Sequence, residues 1–449
     1  MGGFIYFTLG GPGGSGRHPG KERNMPVRTP LERTLSAVWR MESPRIIAAI
    51  SRIVGDVGAA EECAQEALVS ALEKWPETGL PDNPAAWLTT AAKHRALDRL
   101  RAEKLHHEKH VAIGREMDEA AGRAEADLDA ALDDPIGDDM LGLIFTACHP
   151  VLSTEARTAL TLRLLGGLST EEIARAFLAP EPTVAQRIVR AKRTLAEAKV
   201  PFEVPRGDDF RERLASVLEV IYLIFNEGYT ATAGGDWMRP ALCEDALRLG
   251  RVLQGLAPGE SEVHGLAALM EIQASRTAAR AGPKGEAVPL LEQNRAQWDR
   301  LLIGRGLAAL SRAESLGLGL GPYGLQAAIA ACHARAAAAA ETDWARIAAL
   351  YDALAEASPS PVVELNRAVA QAYAYGPAAG LEIVDRLAGE PALKGYHLLP
   401  AVRGDLLFKL GRFAEAAEEF LRAAELTRND REKALMRERA AACAWGKPF

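Results

Sequence analysis

The chain has 449 residues and a formal net charge of −7. That length suits roughly two to four domains, and the acidic balance requires any nucleic-acid-binding surface to be local. No apolar run approaches the ~20 residues of a membrane span, Met1–Phe7 is too short and too weakly basic for a signal peptide, and five scattered cysteines without a C-x-x-C pair fit a reducing cytoplasm rather than a disulfide scaffold.

Residues 8–24 are Gly-rich, so 1–30 reads as a disordered leader, with Met25 a candidate biological start. The first structured domain is placed at 31–105. Within it Glu61–Trp75 is an amphipathic helix with Ala64, Ala67, Leu68, Ala71, Leu72 and Trp75 at helical spacing. Its other face is acidic (Glu61, Glu62, Glu66), with Asp56 just before it. Pro76, Gly79 and Pro81 mark a loop from Pro76 to Asn83. Asn83 then caps a helix with Pro84 at its first position. This helix begins apolar (Trp87, Leu88, Ala91, Ala92) and turns basic through Lys93, His94, Arg95, Arg99, Arg101 and Lys104. An acidic face followed by a basic, aromatic-bearing helix suggests two partners, one protein and one nucleic acid. A small bundle with ordinary solvated faces explains either helix taken alone.

Residues 106–138 read as a linker, in which the acidic, solvated run from Glu116 to Asp139, with Asp133-Asp134 and Asp138-Asp139, reaches the edge of the next domain. His106, His107 and His110 cluster at its start, but no carboxylate or thiolate stands in register, so they read as a polar helix end rather than a metal site. In the next domain, 139–200, Ser169 and Glu172 are spaced to form a capping box. Pro180 and Pro182 then interrupt the chain, and a second helix follows with Val184, Ile188, Ala191 and Leu195 on one face. Thr183, Gln186, Arg187, Arg190, Lys192 and Arg193 lie off that face, available to phosphates and base edges. This is the pattern of a helix-turn-helix whose second helix fits the major groove.

The two segments, in this order, resemble a known family. Gly55-Asp56-Val57-Gly58-Ala59-Ala60-Glu61-Glu62-Cys63-Ala64-Gln65-Glu66-Ala67 through Trp75 is similar to the second conserved region of bacterial RNA polymerase sigma factors. Pro84-Ala85-Ala86-Trp87-Leu88 through Arg101 resembles the promoter-melting and −10-reading helices that follow it, and Ser169–Leu195 resembles the −35-reading region. The short linker between them points to the compact extracytoplasmic-function (ECF) group. The resemblance implies docking on core RNA polymerase through Asp56, Glu61, Glu62, Gln65 and Glu66. It implies −10 contact by Trp87, Lys93, His94, Arg95, Arg99 and Arg101, although a Trp at an apolar helix position more often packs in a core. It assigns −35 reading to Thr183, Gln186, Arg187, Arg190, Lys192 and Arg193, and it implies neither catalysis nor a cofactor. The chain departs from the family pattern at Ala179 and Pro182, where Gly is usual, at Ala185, where a basic residue is common, and at His94, where many relatives carry Asn.

Residues 201–449 are rich in Ala and Leu, and Gly and Pro break them at helix-hairpin intervals. Gly404, Gly411, Ala416, Phe420 and Ala423 resemble a tetratricopeptide (TPR) repeat of ~34 residues, and a weaker hairpin, Ala368–Leu387, bends at Tyr375-Gly376. The whole is expected to be all-α: a region 2 bundle, a region 4 helix-turn-helix and a TPR-like array. The resemblance to ECF factors with such extensions implies control of the sigma core in cis through an intramolecular contact. Two polar-aromatic stretches, Asn226–Tyr229 and Gln293–Arg300, stand out from helix filler as candidates for a ligand surface or for loop capping. The competing reading is a helix-turn-helix transcriptional regulator with a TPR-like partner- or ligand-binding domain, which needs neither the acidic helix nor the Trp87 helix. An enzyme is disfavoured, since no phosphate loop, metal set or nucleophile constellation is present.

Overall fold

In a computed structural model the described residues are 30–108, 136–177, 179–229, 238–282, 288–427 and 430–444. They hold eighteen α-helices and no β-strand, in two compact units whose boundary falls within one helix, after Ile224. The expected all-α class is therefore observed. Most of the proposed linker and the leader, together with the side chains of His106, His107 and His110, lie outside the described residues.

The first unit opens with three packed helices, α1 (Pro30–Val54), α2 (Val57–Thr78) and α3 (Pro84–Glu108). Their core is Ile46, Ile47, Ile50, Ala60, Ala64, Ala67, Ala71, Trp75, Leu88 and Ala92. The alanines recur along one face of α2 and let neighbouring backbones approach. The helix starts earlier than Glu61 because the Asp56 carboxylate accepts the Ala59 N–H at 2.6 Å and fixes the first turn at Val57. It also runs through Pro76, where a loop was expected. The N–H that Pro76 lacks falls in the final turn, which closes instead through Gly79 N–H to Trp75 C=O at 3.0 Å. Gly79 has a φ of 83°, a conformation L side chains rarely adopt. Asn83 caps α3 as expected, accepting the Ala86 N–H at 3.1 Å.

Helices α4 (Ile136–Ala147), α5 (Thr154–Leu164), α6 (Thr170–Ala176) and α7 (Glu181–Glu197) follow. Helix α4 starts at Ile136, within the expected linker, and its Asp139 pairs with Arg52 of α1 at 3.4 Å. Helix α8 (Gly207–Tyr229) begins in this unit. Phe210 packs on Phe145 with ring centroids 5.2 Å apart, Arg213 donates to the Phe145 carbonyl at 3.3 Å, and Ser216 donates to the Cys148 carbonyl at 2.7 Å. The first half of α8 thus packs on the α4 end of the α4–α7 helices.

The second unit continues with α9 (Pro240–Leu256), α10 (Ser261–Ala274), α11 (Arg300–Ser315), α12 (Pro322–Arg335), α13 (Trp344–Ala357), α14 (Pro361–Tyr375), α15 (Pro377–Leu387), α16 (Leu398–Lys409), α17 (Phe413–Leu426) and α18 (Asp430–Cys443). Proline opens α9, α12, α14 and α15, where its missing N–H has no intrahelical partner to lose. Most of these helices pack on their neighbours in the chain, the layout of stacked hairpins, whereas α12 packs most extensively on α10. Both expected hairpins are present. Gly376 (φ 102°) joins α14 to α15, and Gly411 (φ 77°) lies between α16 and α17. A Cβ on Gly404 would lie 3.0 Å from the fully buried Phe420 ring, so the small residue is what lets α16 and α17 close on that aromatic.

Candidate functional site

The helix-turn-helix forms as its sequence specifies. Ser169 Oγ accepts the Glu172 N–H at 3.1 Å, and Glu172 Oε2 accepts the Ser169 N–H at 2.8 Å, completing the capping box. Val184, Ile188, Ala191 and Leu195 are buried, which anchors α7 and fixes its outward face. Thr183, Gln186, Arg190 and Arg193 are exposed and Arg187 is half-buried. Arg193 pairs along the helix with Glu197 at 2.6 Å, an exposed contact that water and salt screen and that a phosphate can readily replace.

On α2 and α3 the acidic and basic sets face each other. Glu62 pairs with Arg99 at 2.7 Å and Glu66 with Arg95 at 3.6 Å. All four side chains are more than 40% exposed, so each pair contributes at most ~1 kcal/mol and can be traded for an outside partner. His94 and Arg101 are exposed, whereas Lys93 is buried. Trp87 is half-buried, its ring edge-on to buried Trp75 with centroids 5.4 Å apart. Part of that ring therefore belongs to the core. Gln65 donates to Glu61, and Asp56 is occupied as the α2 cap.

Glu61 departs from the exposed acidic face that its sequence position suggested. Its side chain is 3% exposed, accepts Arg163 Nε of α5 at 2.6 Å and pairs with Lys192 of α7. A residue of the candidate polymerase face is thereby tied to one of the candidate DNA-reading set. The lysine stem reaches it across Gly58, where a Cβ would stand 3.5 Å from Lys192 Cδ. A second contact crosses the same seam: Arg40 of α1 pairs with Glu172 at 3.0 Å, so the capping-box carboxylate serves both partners. A Cβ on Gly167 (φ 67°) would stand 3.3 Å from the Arg40 Cα, so the turn packs closely on α1. A cavity of about 300 Å³ lined by Asp56, Val57, Thr146, Leu195, Lys199 and Phe202, among others, lies along this seam and leaves it incompletely filled. Sequence reasoning missed Arg163 and Arg40, which carry no local signal because their partners are more than 100 residues away.

The cysteines are free and buried. Burial pushes the Cys148 thiol up to about 11 and Cys243 up to about 12, so both are protonated and poor nucleophiles.

Residues 38–105 match sigma-70 region 2, residues 143–195 match sigma-70 region 4, and residues 213–314 match a family of unknown function, DUF6596. An uncharacterised protein of Rhizobium meliloti (strain 1021) is 43% identical over 399 residues, covering 88% of this chain and 92% of the relative. The ECF RNA polymerase sigma factor SigK of Mycobacterium tuberculosis (strain ATCC 25618 / H37Rv) is 31% identical over 155 residues, 34% of this chain and 78% of SigK. SigK of Mycobacterium ulcerans (strain Agy99) is 30% identical over 158 residues. No solved structure matches. The chain belongs to the ECF RNA polymerase sigma factors and carries a long helical extension beyond the matched sigma regions.

Proposed function

We propose that this sigma factor docks on core RNA polymerase through the α2 face, opens and reads the −10 element with α3, reads the −35 element with α7, and is controlled in cis by its C-terminal TPR-like domain. The observation that carries the reading is the paired exposed sets on α2 and α3 together with the exposed basic face of α7. Glu62 and Glu66 suit a basic partner surface, where complementary charge sets orientation and on-rate. Arg95, Arg99 and Arg101 suit the backbone of unpaired DNA, and the open part of the Trp87 ring suits an unstacked base.

The test is transcription from a double-stranded promoter with purified core polymerase. Glu62→Lys with Glu66→Lys is expected to abolish co-purification with core enzyme while far-UV helicity stays unchanged. Retained core binding would remove that face from the docking surface. Arg187→Ala and Arg190→Ala are each expected to weaken promoter-dependent initiation by ~1–3 kcal/mol if they contact bases. Wild-type output from both variants, on intact and −35-mutated promoters alike, would exclude α7 as the reader.

The seam held by Glu61 bears on how such a factor acts. Elements named for positions −10 and −35 lie ~25 base pairs apart, roughly 85 Å along B-DNA at 3.4 Å per step. A salt bridge joins α2 directly to α7, and α2 packs on α3. Simultaneous reading of both elements therefore requires this seam to open, and the packed arrangement is the form that precedes promoter binding.

A further inference from the structure

Helix α7 carries one side chain that neither the core nor the charge of its outer face accounts for. Val189 is 64% exposed. The core stripe of α7 is complete without it, since Val184, Ile188, Ala191 and Leu195 are all buried. Val189 falls instead on the outward side, among exposed Gln186, Arg190 and Arg193. Lys192 is drawn away from that side, because its ammonium pairs with the buried Glu61 carboxylate. Ala185, one turn before Val189, is half-buried. The methyl groups of Ala185 and Val189 therefore line up as a short apolar strip beside the polar line of Gln186, Arg190 and Arg193.

A single exposed apolar residue needs no explanation on an ordinary surface. At position 189 two costs coincide. A β-branched side chain is a weaker helix former than Ala, Lys or Arg, and its methyls interrupt a face whose other members suit phosphates and base edges. Local preference given up in this way is expected at functional positions. The groove that such a helix enters defines what the strip can recognise. Base edges in the major groove present hydrogen-bond donors and acceptors and one apolar group, the C5 methyl of thymine. Valine has no hydrogen-bonding side-chain atom, so methyl contact is its means of telling one base pair from another.

We propose that Val189, backed by Ala185, reads the C5 methyl of a thymine in the −35 element. Gln186, Arg190 and Arg193 hold the helix around that contact. The inference rests on α7 being the −35 reader, and it adds a sequence requirement that phosphate contacts cannot supply.

The test uses the full-length chain with core polymerase on a double-stranded promoter selected from a library randomised over the −35 element. Each thymine of the selected element is replaced singly by deoxyuridine, which removes the C5 methyl and keeps every hydrogen-bonding group. One replacement is expected to lower initiation about fourfold, the factor that corresponds to burial of one methyl group. Val189→Ala is expected to lower initiation on the thymine promoter by a similar factor and to abolish the response to deoxyuridine at that position. Alanine favours helix at an exposed site, so far-UV helicity should be unchanged. Arg190→Ala, by contrast, is expected to retain the deoxyuridine response. A selected element without thymine, or tolerance of deoxyuridine at every position, overturns the proposal. So does a Val189→Ala chain that loses output equally on thymine and deoxyuridine templates, which would place Val189 against a protein surface. If Arg187→Ala and Arg190→Ala still weaken initiation in that event, α7 remains the reader and only the methyl contact falls; if they do not, both readings fall together.

Discussion

The Arg163→Ala chain is expected to populate an opened first unit and to bind core polymerase more tightly than the natural chain. Arg163 holds the buried Glu61 carboxylate at 2.6 Å and donates to the Leu168 carbonyl at 3.2 Å, beside the turn that leads into α6. Breaking a buried ion pair by removing one member costs about 3–5 kcal/mol, and retention of Lys192 places this case near the lower end. Three kcal/mol corresponds to roughly a hundredfold shift between packed and opened forms. Arg163 lies outside the proposed docking and reading sets, so the substitution separates the seam from the contacts it covers. The measurement is a pair: radius of gyration by small-angle scattering and affinity for core enzyme. Both are expected to rise, and Arg163→Lys should show a smaller change because it keeps the charge. An unchanged radius together with unchanged or weaker core affinity would remove the seam from the mechanism.

Removal of the extension is expected to have two outcomes, set by where the cut falls. A chain ending at Pro205 loses the Phe210–Phe145 contact and the hydrogen bonds from Arg213 and Ser216 to the Phe145 and Cys148 carbonyls. Together these are worth on the order of 3 kcal/mol, enough to destabilise the helix-turn-helix domain itself. A chain ending after Ile224 keeps them. Its promoter output is expected to change several-fold, with loss of activity the preferred sign if the extension supports the competent arrangement. Thermal melting distinguishes the two chains, and run-off transcription with core binding reads the control function. Unaltered output and core affinity in the longer truncation would make the extension a separate binding module.

Several features were legible because they are encoded locally. The Ser169/Glu172 capping box, the Asn83 cap before Pro84 and the buried stripe Val184, Ile188, Ala191, Leu195 depend on residues within a turn or two of one another. The hairpin that holds Gly404 and Phe420 was legible from the spacing of its small residues, but the packing of Gly404 on the Phe420 ring was not, because it depends on how the two helices cross. The overrun of α2 through Pro76 was not, because proline marks a probable boundary and only the closure by Gly79 lets the last turn persist.

The sequence by itself determined the helical class, the order of region 2 before region 4, and which faces of α2, α3 and α7 carry charge, because helical periodicity and capping are local physics. Tertiary structure alone decided how those charges are used. Glu61 and Glu62 are adjacent and chemically alike, yet one is buried between Arg163 and Lys192 while the other stays at the surface beside Arg99. It also decided that the first half of α8 packs on Phe145 and Cys148, and that Arg276 joins Tyr229 to Trp298. Each outcome depends on which distant helices come into contact, and a buried charge selects its partner only after packing has excluded water from it.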